Sequence, residues 1–371
     1  MSDTKNRIRL GMVGGGMEAF IGAVHRTASR IDDKYELVAG ALSSTPERAK
    51  QSGQQLGLPM DRTYDSYAKM AKAEAARPDG IEVVAIVTPN HLHFAVAKAF
   101  LEQGIHVICD KPVTSNLDDA LALKSLIRET GCHFLLTHNY TGYPMAREAR
   151  RMVLSGAIGP IRLVNMEYIQ DWLSGDETGK QAEWRLDPER SGAGGCIGDI
   201  GTHACNLAQF ISGLAVRELS ADLHRFGAGR RLDDNAHILF RFEKGAKGLL
   251  WASQVAIGNE NGLRIRIFGE TGSLEFAQEE PNKLWFAQIG KPKQLLSRGG
   301  AGFQGQARLP AGHPEGFLEA FATLYSEFAD VIRKGETGPV PLPGIEAGID
   351  GLRFITAAVQ SAQDGGRWVA V

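Results

Sequence analysis

The feature that most constrains the fold is an alternation of short apolar runs and helical periodicities over the first 140 residues. The apolar runs are rich in β-branched residues and occupy 8–13, 36–42, 83–88, 106–110 and 133–138. Amphipathic stretches lie between them, near 20–30, 46–56, 66–76, 91–103 and 117–130. Near-continuous apolar strands separated by helices are typical of a parallel sheet covered on both faces. The sequence therefore predicts a doubly wound α/β domain of the Rossmann type over residues 1–140.

A different rhythm begins after the first 140 residues. A helix at 145–155 is followed by long runs of period two joined by glycine-containing turns. This pattern indicates a large, open, mainly antiparallel sheet with one free face. The stretch 289–312 reads as a long loop, and helices are expected at 314–333 and 345–362. We therefore expect a second, α+β domain over 141–371, with 345–371 packing back toward the first domain.

Composition excludes several classes of protein. Forty-one Lys and Arg residues against 43 Asp and Glu give a net charge of −2, which leaves no electrostatic footprint for nucleic acid. We expect no membrane span, because no window approaches about 18 apolar residues. The polar start shows no signal peptide. Four cysteines in so long a chain do not form a disulfide framework, so the expected setting is cytoplasmic.

A glycine-rich turn follows the first predicted strand. Gly14-Gly15-Gly16-Met17-Glu18-Ala19 matches G-x-G-x-x-A and opens a helical stretch. In this pattern the first glycine allows the tight turn, the second lets backbone approach a pyrophosphate, and the alanine permits close helix–strand packing. The helix start offers N–H groups to phosphates. We expect a dinucleotide here, bound by Gly14, Gly16, Met17, Ala19 and Phe20.

The end of the second strand normally distinguishes NAD from NADP. An acidic residue there binds the ribose hydroxyls, whereas an arginine favours a 2′-phosphate. This chain has Ser43 and Ser44 at that place, and Arg48 follows about one helical turn later. Arg48 is either a phosphate contact or a solvated helix residue. Chemistry alone leaves the choice of cofactor open.

Three further motifs occur in a characteristic order. Thr88-Pro89-Asn90-His91-Leu92-His93 follows one strand, Asp110-Lys111-Pro112 follows the next, and a glycine-rich run from Gly192 leads to Asp199 and His203. Together with the glycine turn, they resemble the Gfo/Idh/MocA oxidoreductase family over essentially the whole chain. The stretches GGGMEAFIGAVHR, ALSSTPERA and HPEGFLEAFA are most similar to the levoglucosan dehydrogenase and inositol dehydrogenase branch.

The resemblance implies an NAD(P)-dependent dehydrogenase that acts on a hydroxyl of a sugar, anhydrosugar or cyclitol. It also implies homodimers or homotetramers formed through the open sheet. NAD is favoured, because no arginine directly follows the second strand and the most similar branch uses it; NADP is the alternative. Two positions depart from the family pattern: Asp110 replaces the usual glutamate, and Asn206 stands where many members have aspartate. Further expected cofactor contacts are Thr88, Pro89, Asn90, His93, Asp110 and Lys111.

The resemblance also implies that Lys111 and His203 act at the reacting hydroxyl. Oxidation of an alcohol requires removal of its proton as the hydride leaves, and histidine is the natural base near neutral pH. Asp199 and His203 are spaced i, i+4 and would share a helix face. One hypothesis makes His203 the proton acceptor, with Asp199 binding a hydroxyl and favouring the imidazolium. The other makes Lys111 the acid/base and His203 a hydrogen-bonding partner of the same substrate oxygen; the first is favoured.

Other residues complete the predicted substrate site. Tyr140, Trp172, Trp184 and Arg185 supply aromatic faces or a donor for a sugar, beside Lys111, Asp199 and His203. No metal is predicted, because Cys196 and Cys205 are nine apart and lack the second pair that structural zinc sites use. Two other functions stay open: a glycosidase or lyase that retains NAD for transient oxidation, and a non-catalytic nucleotide-binding regulator.

Overall fold

The structure is a computed structural model that describes residues 7–17, 19–175, 187–335 and 337–371. The described chain forms two compact units, each built from two segments. The first consists of the described part of Met1–Asn139 with Phe321–Ile349, and the second of Tyr140–Ala320 with Asp350–Val371. The first boundary lies at 139/140, beside the 140/141 of the sequence prediction. The chain re-enters the first unit at Phe321, earlier than 345, and leaves it after Ile349.

The first unit is a doubly wound parallel sheet, as predicted from the alternation of strands and helices. Among the described residues, its five strands pair in parallel in the order β2-β1-β3-β4-β5. The strands are Ile8–Gly14 (β1), Tyr35–Ala41 (β2), Val83–Val87 (β3), His106–Cys109 (β4) and Phe134–Leu136 (β5). The helices are Phe20–Ile31 (α1), Pro46–Gln55 (α2), Tyr67–Ala75 (α3), His93–Leu101 (α4) and Leu117–Thr130 (α5).

Local sequence explains these elements. Every residue of β3 is buried, as expected for a central parallel strand covered on both faces. The Asn116 side chain caps α5 by accepting a hydrogen bond from the Asp119 N–H, and Gly131 ends this helix with a φ of +66°. The strand order changes direction between β1 and β3, which is the switch point where such sheets bind ligands outside the carboxyl ends of their strands.

The second unit is built around a large mixed sheet. Within the described residues, its nine strands follow the order β13-β12-β11-β10-β6-β9-β8-β7-β14; β6 and β9 are parallel and the other neighbours are antiparallel. The strands are Ile161–Ile169 (β6), Val216–His224 (β7), Asn235–Phe242 (β8), Lys247–Ser253 (β9), Gly262–Gly269 (β10), Gly272–Ala277 (β11), Lys283–Gln288 (β12), Gln294–Ser297 (β13) and Val369–Ala370 (β14). The mainly antiparallel sheet predicted from period-two runs is confirmed.

Helices cover one face of this sheet. They are Pro144–Leu154 (α6), the short Pro188–Ser191 (α7) and Thr202–Ser212 (α8), which follows a π-helical turn at Ile197–Gly201. Helix α8 lies against β6 and β10, and α6 packs on α8. Two later helices, Phe317–Lys334 (α9) and Ile345–Gln363 (α10), each contribute residues to both units. In the part of the chain that the structure describes, no helix is long and apolar enough to cross a membrane.

The stretch 289–312 contains a strand where the sequence predicted only loop. Gln294–Ser297 forms the edge strand β13, which pairs with β12. Four residues between glycine-rich flanks are too few to show a period of two, so the pattern was missed. The buried Arg298 pins the segment that follows: it pairs with Glu315 at 2.9 Å and donates to the carbonyl oxygen of Leu309 at 2.6 Å.

Candidate functional site

The glycine turn after β1 has a backbone that only glycine accommodates well. Gly14 has a φ of +76°, and a Cβ atom there would lie 2.5 Å from the Val87 carbonyl oxygen. A Cβ at Gly16 would lie 2.8 Å from the Leu42 carbonyl oxygen. The turn therefore presses against the ends of β3 and β2, with Gly15 buried and Gly14 and Gly16 half-buried.

Three residues that the sequence analysis did not single out hold this turn in place. A Cβ on Gly22 would lie 2.4 Å from the Gly15 Cα, so α1 packs directly on the turn. The buried Arg26 donates from its guanidinium to the Gly15 carbonyl oxygen. The Met17 N–H donates to Ser52 Oγ at 3.4 Å. The position of Gly22 one helical turn after the glycine motif could have suggested its role. No local sequence pattern predicts the roles of Arg26 or Ser52.

The start of α1 suits an anionic ligand. Its N-cap is Ala19, whose methyl group cannot accept a hydrogen bond from the first-turn N–H groups. The dipole of the helix is positive at this end. Met17 and Phe20 are both exposed beside it. The glycine turn and the helix start thus fit a pyrophosphate, as the motif predicts.

The end of β2 lies beside the glycine turn through the contact between Gly16 and Leu42. Ser43 follows, half-buried, and its Oγ accepts a hydrogen bond from the Thr45 N–H at 3.2 Å. Ser44 and Arg48 are both exposed. Two small hydroxyls at this edge carry no charge that would repel or select a 2′-phosphate.

Thr88 lies directly after β3 and offers an unsatisfied polar atom. Its Oγ1 is buried and has no hydrogen-bonding partner among the described residues. A Cβ at Gly14 would lie 3.1 Å from the Thr88 methyl carbon, so this side chain borders the glycine turn. Buried hydroxyls in native proteins are nearly always hydrogen-bonded, and a bound polar ligand would complete this one. Pro89 is half-buried and Asn90 is buried in the same loop.

The segment after β4 is held on both flanks of Lys111. The Asp110 carboxylate accepts hydrogen bonds from the Lys111 N–H at 3.0 Å and from Thr137 Oγ1 at 2.8 Å. The Lys111–Pro112 peptide bond is cis, and the carbonyl oxygen of Pro112 lies 2.6 Å from Nδ1 of His93. The Lys111 side chain is half-buried. Its backbone is therefore fixed from β5 on one side and from α4 on the other.

His138, which follows β5, was missed by the sequence analysis. Burial, together with the positive charge of Lys111, lowers the pKa of His138 to about 3, and Asp110 opposes this effect. The charge of Lys111 is thus felt at the end of β5 by a neutral imidazole. No motif marks this residue, because its position depends on the pairing of β4 with β5.

In the second unit, the glycine-rich run is anchored on Asp233. This buried carboxylate accepts hydrogen bonds from the Gly195 N–H at 2.7 Å and the Ile197 N–H at 2.9 Å, and from Cys196 Sγ at 3.0 Å. A Cβ at Gly195 would lie 2.0 Å from the Asp233 carbonyl oxygen. Burial raises the pKa of Asp233, and these donors oppose that effect. Asp233 therefore sets the start of the π-helical turn that carries Asp199.

Asp199 and His203 lie one turn apart across the junction of the π-helical turn and α8. Asp199 Oδ2 accepts a hydrogen bond from Gln254 Nε2 at 2.9 Å, from the residue that follows β9. His203 is buried in the first turn of α8. π-Helical turns occur frequently at functional sites, since they re-aim side chains within a helix. The i, i+4 spacing that suggested a shared helix face thus spans two kinds of helix.

The His203 ring packs against a hydrogen-bonded pair of tyrosines. The Tyr140 and His203 ring centroids are 4.8 Å apart, with the rings nearly perpendicular at 81°. The hydroxyls of Tyr140 and Tyr168 are 2.5 Å apart, and Tyr168 donates to Asn261 Oδ1 at 2.8 Å. Burial raises the pKa of both tyrosines. Because the Tyr168 proton is committed to Asn261, Tyr140 donates to Tyr168 and presents oxygen lone pairs to its surroundings.

The remaining predicted residues divide into two groups. Trp172 is half-buried after β6, whereas Trp184 and Arg185 lie outside the described residues.

Burial raises the pKa of the Cys196 thiol and raises that of Cys205 to about 12. Within the described ranges, no group of three His, Cys, Asp or Glu side chains is placed to hold a metal ion.

Comparison with known families matches both units. Residues 8–138 match the model described as an oxidoreductase family with an NAD-binding Rossmann fold, and residues 146–275 match the GFO/IDH/MocA C-terminal domain. These ranges contain Lys111, Asp199 and His203. An oxidoreductase structure from Sinorhizobium meliloti is 54% identical, with a TM-score of 0.91, and covers 98% of this chain and 99% of that one.

Two relatives have known ligands. An inositol dehydrogenase homologue from Azotobacter vinelandii, complexed with NADH and myo-inositol, is 36% identical, with a TM-score of 0.92, over 99% of this chain and 98% of that one. Levoglucosan dehydrogenase from Pseudarthrobacter phenanthrenivorans is 28% identical over 76% of each chain. A levoglucosan dehydrogenase complex with NADH and levoglucosan is 25% identical, with a TM-score of 0.86, over 98% of this chain and 99% of that one. The chain therefore belongs to the Gfo/Idh/MocA family of oxidoreductases with an NAD-binding Rossmann domain.

Proposed function

We propose that this chain is an NAD(P)-dependent dehydrogenase that transfers a hydride between nicotinamide and a secondary hydroxyl or ketone of a sugar, anhydrosugar or cyclitol. The observation that carries the proposal is the anchored pair of Asp199 and His203 in the second unit. Its carboxylate is oriented by Gln254 and its imidazole is packed against Tyr140. Relatives that bind NADH together with myo-inositol or levoglucosan support the same substrate class.

The first unit supplies the proposed cofactor site. Gly14, Gly16, Met17, Ala19 and Phe20 would surround the pyrophosphate, and Ser43, Ser44 and Arg48 the adenosine ribose. Thr88, Pro89, Asn90, His93, Asp110 and Lys111 would border the nicotinamide half. When bound, the nicotinamide accepts or returns the hydride. NAD is preferred over NADP in this proposal, because no arginine directly follows β2.

The second unit supplies the proposed proton acceptor. His203 would take the hydroxyl proton as the hydride leaves, and Asp199 would bind a substrate hydroxyl and favour the imidazolium that forms. Tyr140, whose own proton is directed to Tyr168, would act as an acceptor toward polar neighbours. Trp172, Trp184 and Arg185 are proposed contacts to the sugar.

Lys111 is the alternative acid/base. Its backbone is fixed on one flank by Asp110 and on the other by the contact between Pro112 and His93. Turnover of the Lys111→Ala and His203→Ala variants distinguishes the two assignments, since the true base is the residue whose loss removes the pH dependence of kcat/KM.

We further propose that the protein forms homodimers or homotetramers through the open face of the nine-stranded sheet. Leu239 and Leu249 are register partners on that face, with exposed fractions of 54% and 39%, and Leu163 is 49% exposed. Ion pairs flank these leucines, including Arg266 with Glu167 at 2.6 Å. A second copy of the sheet would cover the leucines and exclude water from them. Light scattering should show a smaller species for Leu239→Arg than for the wild type.

A cytoplasmic setting is part of the proposal. All four cysteines of the chain are free and buried, including Cys109 inside β4 and Cys132 before β5. Free thiols that serve as small core residues are typical of reducing compartments.

The test is an activity panel. Reduction of NAD and of NADP is followed by absorbance against inositols, aldoses and anhydrosugars. The proposal predicts net NADH formation with at least one polyol and weaker activity with NADP. Cofactor that stays bound, with a cleaved glycoside and no net NADH, would instead indicate transient oxidation. If neither reaction occurs and the nucleotide still binds, the protein would be a regulator.

A further inference from the structure

His93 joins two loops at the carboxyl edge of the parallel sheet. It is the first residue of α4, and its side chain is fully buried. Nε2 of its ring lies 2.9 Å from the Thr88 carbonyl oxygen, and Nδ1 lies 2.6 Å from the Pro112 carbonyl oxygen. The imidazole therefore spans the distance from the end of β3 to the residue that follows Lys111.

Both ring nitrogens of His93 lie within hydrogen-bonding distance of backbone carbonyl oxygens. A neutral imidazole donates from one nitrogen, and a protonated imidazole donates from both. Burial lowers the pKa of His93, while the carbonyl groups of Pro112 and Thr88 oppose that effect. A ring with both nitrogens directed at carbonyl oxygens is not positioned to exchange a proton with a bound molecule. Its geometry suits a connecting role instead of acid–base catalysis.

We propose that His93 is the positioning residue for Lys111. The imidazole fixes the Pro112 carbonyl group relative to Thr88, and so sets the backbone from which the Lys111 side chain leaves. Asp110 fixes the opposite flank through the Lys111 N–H and Thr137. Lys111 is then oriented as a unit with the loop after β3. This inference rests on the proposed function, because Lys111 matters to hydride transfer only if the chain is a dehydrogenase.

Two substitutions at His93 separate positioning from simple packing. In His93→Asn, the short amide can still donate to the Pro112 carbonyl oxygen in place of Nδ1. In His93→Gln, the longer amide reaches toward Thr88 in place of Nε2. The proposal predicts that His93→Asn keeps most of the turnover, whereas His93→Gln loses about 10–100-fold in kcat with a smaller change in the KM of the polyol, because a displacement of about 1 Å at a reacting group costs this much. Exposed His91, changed to Asn, is the matched control and should leave kcat unchanged.

A second readout needs neither cofactor nor turnover. The rate at which acetic anhydride labels Lys111 is measured across pH by mass spectrometry, in the protein without added nucleotide. We expect the rate at which Lys111 is labelled to change at least about threefold in His93→Gln. In His93→Asn this rate should match the wild type. A merely structural role would lower the Tm of both variants and leave their Lys111 profiles alike.

Equal kcat and equal Lys111 labelling in wild type, His93→Asn and His93→Gln, with all three folded by circular dichroism, would overturn the inference. If the wild type reduces neither NAD nor NADP with any polyol, the proposed function fails by itself. The labelling comparison would still decide whether His93 orients Lys111.

Discussion

The glycine turn of the first unit and the Asp199–His203 segment of the second are ordered by different physical means. In the glycine turn, backbone contacts decide the residue type. Gly14 has a positive φ, and a Cβ atom there would lie only 2.5 Å from the Val87 carbonyl oxygen. In the Asp199–His203 segment, buried side chains from distant parts of the chain decide the geometry, chiefly Asp233 and Gln254. Steric requirements leave a local sequence signature, whereas long-range hydrogen bonds do not.

The largest expected effect tests whether the second segment performs the chemistry. His203→Ala should lower kcat by about 10²–10⁴-fold at neutral pH, because it removes the proposed general base. Steady-state kinetics on the best polyol measure this, with exposed His224→Ala as the control expected to behave as the wild type. Near-normal turnover of His203→Ala, combined with an inactive Lys111→Ala, would transfer the role of base to Lys111.

A matched pair of glycines tests the steric argument for the first segment. Gly14→Ala places a methyl group against the Val87 oxygen, whereas Gly104 has a similar φ of +73° and nothing within 4 Å of the added Cβ. Both substitutions carry strain of about 1 kcal/mol from the positive φ, but only Gly14→Ala must also displace backbone. We expect NADH affinity, measured by fluorescence titration, to fall at least about tenfold in Gly14→Ala and to stay unchanged in Gly104→Ala. Equal losses would mean that strain alone governs the turn.

Removal of the buried anchor tests the side-chain argument for the second segment. Asp233→Ala deletes the acceptor for the Gly195 and Ile197 N–H groups. Each donor left buried without a partner costs about 1–3 kcal/mol, so the free energy of unfolding in urea should fall by several kcal/mol. The exposed Asp222→Ala is the control and should change stability by less than about 0.5 kcal/mol. A fully stable Asp233→Ala protein with wild-type kcat would show that the π-helical turn keeps its conformation without the Asp233 carboxylate.

Acid stability supplies a further prediction, which concerns one buried histidine. The pKa of His138 is about 3 in the folded protein against an ordinary 6.5, so the unfolded chain binds a proton there that the folded chain does not between these pH values. The free energy of unfolding therefore falls as pH drops below about 6.5. Between pH 7.5 and 4.5 this group accounts for at most about 2–3 kcal/mol. His138→Gln should show an acid loss smaller by that amount in urea titrations; identical pH profiles would contradict the prediction.

The sequence predicted the elements whose cause is local. The parallel sheet followed from apolar strands alternating with helices, and the glycine turn from its spacing. The edge strand Gln294–Ser297 was missed, because four residues carry too little periodicity. The chain returns to the first unit at Phe321, inside α9, where no turn signal marks the sequence.

The side chains that orient the candidate site could not be predicted in the same way. Asp233 lies 38 residues from Gly195, and Gln254 lies 55 residues from Asp199. Tyr168 and Asn261 meet only because β6 pairs with β10, and His138 reaches the charge of Lys111 only because β5 pairs with β4. Partners that depend on strand pairing become visible only with the fold.

The central claim is that a hydride passes directly between a polyol carbon and nicotinamide. The most direct test uses the polyol that is oxidised fastest in the activity panel, deuterated at its carbinol carbons, with unlabelled NAD. Mass spectrometry of the reduced nucleotide should show one deuterium per NADH formed, together with a slower rate than for the unlabelled polyol. NADH without deuterium, or label released into water with no NADH, would contradict direct transfer.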